Sequence, residues 1–286
     1  MEIFELRYFL AVADCENIHR ASEKLNVSPG SLSKAVQRLE DELSVSLFSR
    51  QGRNIRITDH GRLLQKKASE IVHLEESTRL ALSGHEGAIR VVISGAEVLL
   101  AEMGLSLSRD IEKKFPKSAF EYHHADDAST LSQVSRGEAH LGLVTCEVPG
   151  HLGLSVKILA ETHFQTYVGS GHPLHGVRKV IPIEEVLKHA FASPNHPLLG
   201  QVNARQSIDG WRDDQFPRRV AFFTSSLKLL EEMALRGRAI VYLPEYYGQS
   251  LGLQALKISG CPYVCKQKIR LISRSPHEIS WLNQIF

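Results

Sequence analysis

The chain has 286 residues, room for about two domains at the usual ~150 residues each. Hydrophobic residues make up 43% and charged residues 23%, as in a globular protein with a core to bury, which excludes disordered and fibrous classes. The formal net charge is only +2, and no run approaches the ~18 to 20 apolar residues of a membrane span.

The start, Met-Glu-Ile-Phe-Glu-Leu-Arg, lacks the basic stretch and apolar stretch of a secretory leader, so the expected location is cytoplasmic, without a membrane partner. Cys15, Cys146, Cys261 and Cys265 are too few for a disulfide framework and read as reduced thiols. From Phe4 to Ala13, the residues Phe4, Leu6, Phe9, Leu10, Val12 and Ala13 recur at helical spacing and predict a first helix with one buried face. Asn17 is placed to cap a short second helix with an inner face of Ile18, Ala21, Ser22 and Leu25. Ser28-Pro29 then reads as a cap followed by proline at the first helical position, opening a third helix on Leu32, Val36, Leu39 and Leu43.

Two short helices joined by a tight turn predict a helix-turn-helix, with Ser31, Ser33, Lys34, Gln37 and Arg38 facing outward toward a major groove. Leu47 to Arg50, a Gln51-Gly52-Arg53-Asn54 turn and Ile55 to Thr58 read as a short hairpin, or wing. Between Lys34 and Lys67, eight basic residues stand against four acidic ones, a local excess suited to phosphate contacts.

Leu6 to Ala13, Ala21 to Ser28, Leu32 to Glu40, Leu47 to Arg50 and Thr58-Asp59-His60-Gly61 together resemble the N-terminal domain of LysR-type transcriptional regulators. The resemblance implies a winged helix-turn-helix that binds double-stranded promoter DNA as a homodimer or homotetramer, with RNA polymerase as a further candidate partner. It also implies a DNA-contacting set of Ser28, Pro29, Ser31, Ser33, Lys34, Gln37, Arg38, Arg50, Arg53 and Arg56. Ser33 and Lys34 match recognition-helix positions that commonly touch bases and phosphates, and Arg53 matches a wing position that can enter a minor groove. Two departures are visible. Pro29-Gly30-Ser31 stands where Gln-Pro-Ala is frequent, and Lys34 replaces the more frequent arginine, which alone offers guanine a bidentate fork.

Gly61 to Ser83 contains no proline and no further glycine. Leu64, Ala68, Ile71, Thr78 and Leu82 recur at alternating four and three spacings, with Glu75 at one seam position, and predict a long amphipathic helix with a dimerising stripe. Its ~23 residues would span ~35 Å. A dimer built on it would set the spacing of two DNA half-sites and favour imperfect inverted repeats. Gly84 and Gly87 mark the boundary of the next domain.

From Ala88 the pattern alternates. Strands are predicted at Ile89–Ser94, Ala119–His123 and Leu141–Thr145, with helices near Leu99–Phe115 and Ser129–Arg136. A second unit has strands at Phe191–Ser193, Val220–Thr224 and Ile240–Leu243, with helices near Ala204–Asp213 and Ser226–Arg236; Lys266–Ile272 returns to the first. The expected organisation is an all-α winged helix-turn-helix (1–60), a linker or dimerisation helix (61–87) and an α/β regulatory domain (88–286). The last divides into two Rossmann-like subdomains, about 88–161 with 266–286, and about 162–265. Phe115-Pro116, Gly137-Glu138-Ala139, His172-Pro173-Leu174 and Tyr242-Leu243-Pro244 carry the LysR resemblance into this region and imply an effector-binding domain of periplasmic-binding-protein-like fold. His140 stands where an acidic residue is common, and Arg238-Ala239 replaces a more glycine-rich turn.

A cleft between the two units, at the carboxyl ends of strands, would hold a small-molecule effector. The candidate residues are Ser94, Gly95, Ala96, Glu97, Thr145, Ser193, Asn195, His196, Thr224 and Ser225, beside Cys146 and Ser226. Hydroxyls and free N–H groups at helix starts suit an anion, whereas Glu97 points to a cationic, zwitterionic or neutral ligand. No Gly-x-Ser-x-Gly elbow, phosphate loop or His-Glu-x-x-His motif occurs, so no enzyme is expected, and no cofactor. His172 and His175 have no adjacent third metal ligand, and His123-His124 with Asp126-Asp127 reads as a solvated strand end. Cys261 and Cys265 leave a redox-controlled regulator as the alternative, and a regulator without a small-molecule ligand stands beside it.

Overall fold

The computed structural model describes residues 1–51, 54–82, 89–200, 207–261 and 263–274; side chains at 50, 51, 54, 73, 76, 77 and 79–82 lie outside that description. The N-terminal part consists of α1 (Ile3–Cys15), α2 (Ile18–Leu25), α3 (Pro29–Leu43), the wing strands β1 (Phe48–Gln51) and β2 (Asn54–Ile57), and α4 (Asp59–Leu82). Each of the first three helix starts has its own polar device. Glu2 and Glu5 form a reciprocal capping box on α1, Asn17 accepts from Arg20 N–H at 3.1 Å, and Ser28 Oγ accepts from Ser31 N–H at 3.1 Å.

Glu40 ties α3 to the wing, because its carboxylate accepts from the N–H groups of Leu47 at 2.6 Å and Phe48 at 3.1 Å. The Thr58-Asp59-His60-Gly61 run gains a physical reason. Thr58 Oγ1 donates to the Leu47 carbonyl at 3.1 Å and accepts from Gly61 N–H at 3.0 Å. A Cβ on Gly61 would sit 2.3 Å from that same carbonyl, so the wing can cross the start of α4 only over glycine.

The first three positions of the stripe expected to dimerise, Leu64, Ala68 and Ile71, face the chain's own core. Ala68 is fully buried in a cluster with Leu6, Phe9, Ala13, Leu39 and Leu47, and Leu64 and Ile71 pack against it. Thr78 is exposed, and the Leu82 side chain lies outside the described residues. The spacing was an accurate sign of a buried face, but a four-three stripe cannot say whether the helix that covers it is its own α1 or a partner's.

The C-terminal part begins with β3 (Arg90–Gly95), then α5 (Glu97–Leu99), a π-helical turn (Leu100–Gly104) and α6 (Leu105–Lys114). β4 (Ala119–His124), α7 (Asp127–Arg136), β5 (Leu141–Val144) and the 14-residue β6 (Ser155–Val168) follow. Next come β7 (Ile181–Pro182), α8 (Ile183–Val186), β8 (Phe191–Pro194), β9 (Val220–Thr224), α9 (Leu227–Leu235) and β10 (Val241–Pro244). The remaining elements are α10 (Glu245–Ser250), β11 (Gln254–Ala255), β12 (Ile258–Ser259) and β13 (Lys266–Ser273). β4, β3 and β5 are parallel, and β13 joins β5 antiparallel. β6 pairs with β13 along Ser155–His163 and then with β10 along Phe164–Tyr167, so it leaves the first sheet to enter the second, and β13 returns. β8 and β9 pair in parallel beside Ile240.

Two sequence features resolve differently from expectation. The expected helix at 204–213 lies partly outside the described residues, and its described part, 207–213, forms turns. There Asp209 captures Ser207 Oγ at 2.8 Å and Trp211 N–H at 3.3 Å, local bonds that compete with a helical ladder. His140, standing where an acid is common in the resembled family, supplies an acceptor of its own: its Nδ1 accepts from Val92 N–H at 2.9 Å.

The second subdomain is organised around a buried cation. Arg218 is fully enclosed, contacts both Asp209 oxygens at 2.8 Å and Asp213 at 3.1 Å, and lies 5.3 Å from the ring centres of Phe191 and Trp211. Removing it would leave the buried Asp209 carboxylate without its counter-charge. Arg218→Met is therefore expected to lower the unfolding free energy by about 3–5 kcal/mol, read by urea denaturation against the wild type.

Candidate DNA-reading face and effector cleft

The capping of α3 by Ser28 directs its first turns outward. Ser31, Ser33, Lys34, Gln37 and Arg38 are all exposed, while Leu32, Ala35, Val36 and Leu39 are buried on the opposite side. Ser31 Oγ is within 2.8 Å of Ser28 Oγ, and Gln37 donates to Asp41 at 2.8 Å, so both are held in defined positions. Pro29 is half-buried and Ser28 exposed. Arg38 and Arg56 approach Glu5 and Glu16 at 3.6 Å, yet their side chains keep 66% and 63% of their surface exposed. That leaves both guanidinium groups able to meet a phosphate at the domain surface. The Arg50 side chain and Arg53 lie outside the described residues.

The candidate cleft residues separate into two groups. Ser94, Thr145, Ser193 and Thr224 are buried, and each hydroxyl already has an internal partner. Ser94 meets Thr130 at 3.1 Å, Thr145 donates to Asp127 at 2.9 Å, Ser193 donates to Asp209 at 3.3 Å, and Thr224 accepts from Ser226 N–H at 3.0 Å. Glu97, Asn195 and Ser225 are exposed and His196 half-buried, with Asn195 and His196 3.0 Å apart. Gly95 and Ala96 shape the strand end: a Cβ on Gly95 would lie 2.9 Å from the Leu143 carbonyl, and Ala96 is buried. The two subdomains meet at Thr145, where a Cβ on Gly200 would lie 2.8 Å from its Cγ2 and 3.0 Å from Gln267 Nε2.

Asp127 and Gln267 are the residues that sequence reasoning missed. The acidic pair is not a solvated strand end throughout: Asp126 caps α7 through Ser129 N–H at 2.7 Å, and Asp127 turns inward with 5% of its surface exposed. Its Oδ2 collects three donors, Thr145 N–H at 3.1 Å, Thr145 Oγ1 at 2.9 Å and Cys146 N–H at 2.8 Å. Two adjacent acids at a helix start, one more than capping requires, were the available signal. Three of the four thiols are shifted toward the protonated form. Burial, followed by the Asp127 charge, pushes the Cys146 thiol up to about 11; burial pushes Cys265 up to about 11 and raises Cys261.

The other end of α7 docks on the N-terminal part. Ser69 Oγ of α4 donates to the Gly137 carbonyl at 2.6 Å, and Arg274 donates to the Lys66 carbonyl and to Glu70, both at 3.2 Å. One residue further, Glu138 faces Asp14 of α1, with Arg136 at 3.7 Å and Lys24 beyond Asp14, itself bonded by Gln65 at 3.3 Å. Burial, then the neighbouring Asp14 carboxylate, raises the Glu138 carboxyl from 4.5 to about 7. A carboxyl raised by folding stabilises the docked state fully below its ordinary value and loses that contribution as the pH climbs through about 7. The wild-type melting temperature is expected to fall relative to Glu138→Gln over that window, and parallel pH profiles for the two proteins would contradict this.

Comparison with known proteins adds to this geometry. Residues 3–62 match the family described as bacterial regulatory helix-turn-helix protein, lysR family, and residues 84–280 match the LysR substrate binding domain. The HTH-type transcriptional regulator BudR of Raoultella terrigena is 27% identical over 180 residues, 62% of this chain and 62% of that protein, so less than two thirds of that relative's length is covered. Among solved structures, a full-length OxyR variant from Pseudomonas aeruginosa covers 100% of this chain and 92% of its own, at TM-score 0.62 and 19% identity. Full-length CbnR complexed with its target DNA covers 99% of this chain and 98% of its own, at TM-score 0.55 and 19% identity, and shares the fold. With both of its parts matched, the chain belongs to the LysR family of bacterial regulatory helix-turn-helix proteins.

Proposed function

We propose that the protein is a sequence-specific transcriptional regulator rather than an enzyme, binding double-stranded promoter DNA in the cytoplasm and answering to a small molecule in the cleft of its regulatory domain. The observation that carries this reading is the outward row of Ser31, Ser33, Lys34, Gln37 and Arg38 on a capped helix beside a wing. Short hydroxyls and an amide can reach base edges while the cations neutralise phosphates. Lys34 has no ion pair among the described residues, so its charge is not already spent within the chain.

Promoter binding as a dimer or tetramer is part of this proposal. On α4, Leu63 and Leu74 are 63% and 67% exposed and share one face with Lys67 and Thr78. We place the seam between subunits along that face, since Leu64, Ala68 and Ile71 are committed to the chain's own core. RNA polymerase is the partner that a promoter-bound regulator would meet.

The test is selection of bound duplexes from a random-sequence pool by the full chain. An enriched imperfect inverted repeat is expected, bound roughly tenfold more weakly by Lys34→Ala and with a salt dependence shallower by about one unit. Failure to enrich any sequence, or equal affinity and slope for the variant, would contradict the reading.

A further inference from the structure

The cleft holds more hydrogen-bond acceptors than the chain has donors for. Asp127 Oδ2 takes three N–H and O–H donors, the Cys146 thiol lies within hydrogen-bonding reach of the same carboxylate, and Oδ1 is buried with no hydrogen-bond partner. Gln267, on the returning strand β13, is 4% exposed; its Nε2 donates to the Leu199 carbonyl at 2.9 Å, and its Oε1 is buried without a partner. The two residues approach Thr145 from α7 and from the returning strand β13. Asp127 is bonded to it directly, and Gln267 reaches the Leu199–Gly200 turn that closes over it.

Buried polar atoms in folded proteins are almost always paired, so two orphaned acceptors around one residue mark a place where something supplies donors. The sign of the charge narrows what that something is. Among the described residues no cation pairs with Asp127. Arg270, whose guanidinium reaches the Thr145 carbonyl at 3.0 Å, is also bonded to the Glu147 carboxylate. An anion placed here would meet a carboxylate and an amide oxygen with no donor to receive it, whereas an ammonium or guanidinium offers two or more N–H groups and one positive charge.

We propose that this cleft selects a small organic cation, a protonated amine or a guanidine, held by Asp127 Oδ1 and Gln267 Oε1. The proposal rests on the reading of the regulatory domain as an effector-binding domain and specifies the chemistry of what enters it. Asp127 supplies the charge recognition, Gln267 supplies direction, and the Leu199–Gly200 turn brings the second subdomain against the ligand. Binding then favours the closed arrangement of the two subdomains by the ligand's greater affinity for it.

Calorimetric titration and thermal shift on the full chain, with n-butylamine, 1,4-diaminobutane and butylguanidine beside butyrate and butyramide, test this. At least one cationic probe is expected to bind and raise the melting temperature. Its affinity should fall tenfold or more in Asp127→Asn and by a smaller factor in Gln267→Met. Asp127→Asn keeps an oxygen for Thr145 and places N–H where the orphaned acceptor was, so the variant is expected to fold and to melt no lower than the wild type. Binding of butyrate or butyramide without the cations would overturn the class of ligand and leave the effector reading standing. No binding by any probe would overturn both, with bridging water as the occupant. Cation binding undiminished in Asp127→Asn would place the charge recognition elsewhere and also overturn the proposal.

Discussion

The hydrogen bond from Ser69 to the Gly137 carbonyl fixes the C-terminal end of α7 against the linker helix, and only glycine fits that contact. Gly137 has φ +80°, and a Cβ there would lie 2.8 Å from Ser69 Oγ and 2.9 Å from the Arg274 guanidinium carbon. Arg274 follows β13 directly, so the same contact also anchors the strand that returns from the second subdomain. One face of α4 is thus given to α1, a second to the regulatory domain, and a third remains exposed at Leu63, Lys67, Leu74 and Thr78. The orientation of the DNA-reading helix relative to the cleft follows from how that single helix is shared.

α7 is what connects the two ends. Its first residue, Asp127, lies under Thr145 in the cleft, and its capping residue, Gly137, lies on α4 about 15 Å away by helical rise. A helix of this length moves as a body, because its backbone bonds resist bending more than the packing at either end resists sliding. The bonds at Asp127 and the docking at Gly137 are therefore carried by one element. The buried Asp209–Arg218 pair serves a different end: it holds the second subdomain's turns in place and takes up the hydroxyl of Ser193, which removes that group from the ligand's reach.

The N-terminal architecture could be read closely in the sequence because its signals are local. Asn17, Ser28 and Pro29 mark helix starts by their own chemistry, and the capped helices appear where those residues stand. The alternation of strands and helices from Arg90 to Val144 was equally readable, since buried parallel strands are continuous apolar runs. What was not readable depended on partners distant in sequence. β6 escaped notice because its first half leaves Val156, Ile158 and Leu159 exposed at an edge while its second half is buried, so no single period describes it. The stripe on α4 announced burial without naming its neighbour, and Asp127 looked like a surface acid until the fold turned it toward Thr145. Gln267 gave no signal at all, as a lone glutamine in a strand reads as a solvent-facing position.

Because the account turns on α7 being docked to α4, the most direct measurement is amide hydrogen exchange of the full chain in wild type and in Ser69→Ala. That substitution removes one hydrogen bond and nothing from the regulatory domain itself. The account predicts that amides at 66–72 of α4 and at 134–139, across the end of α7, lose protection together. Loss at α4 with unchanged protection at 134–139, or no change at either, would mean that the two halves of the molecule are not held by this contact.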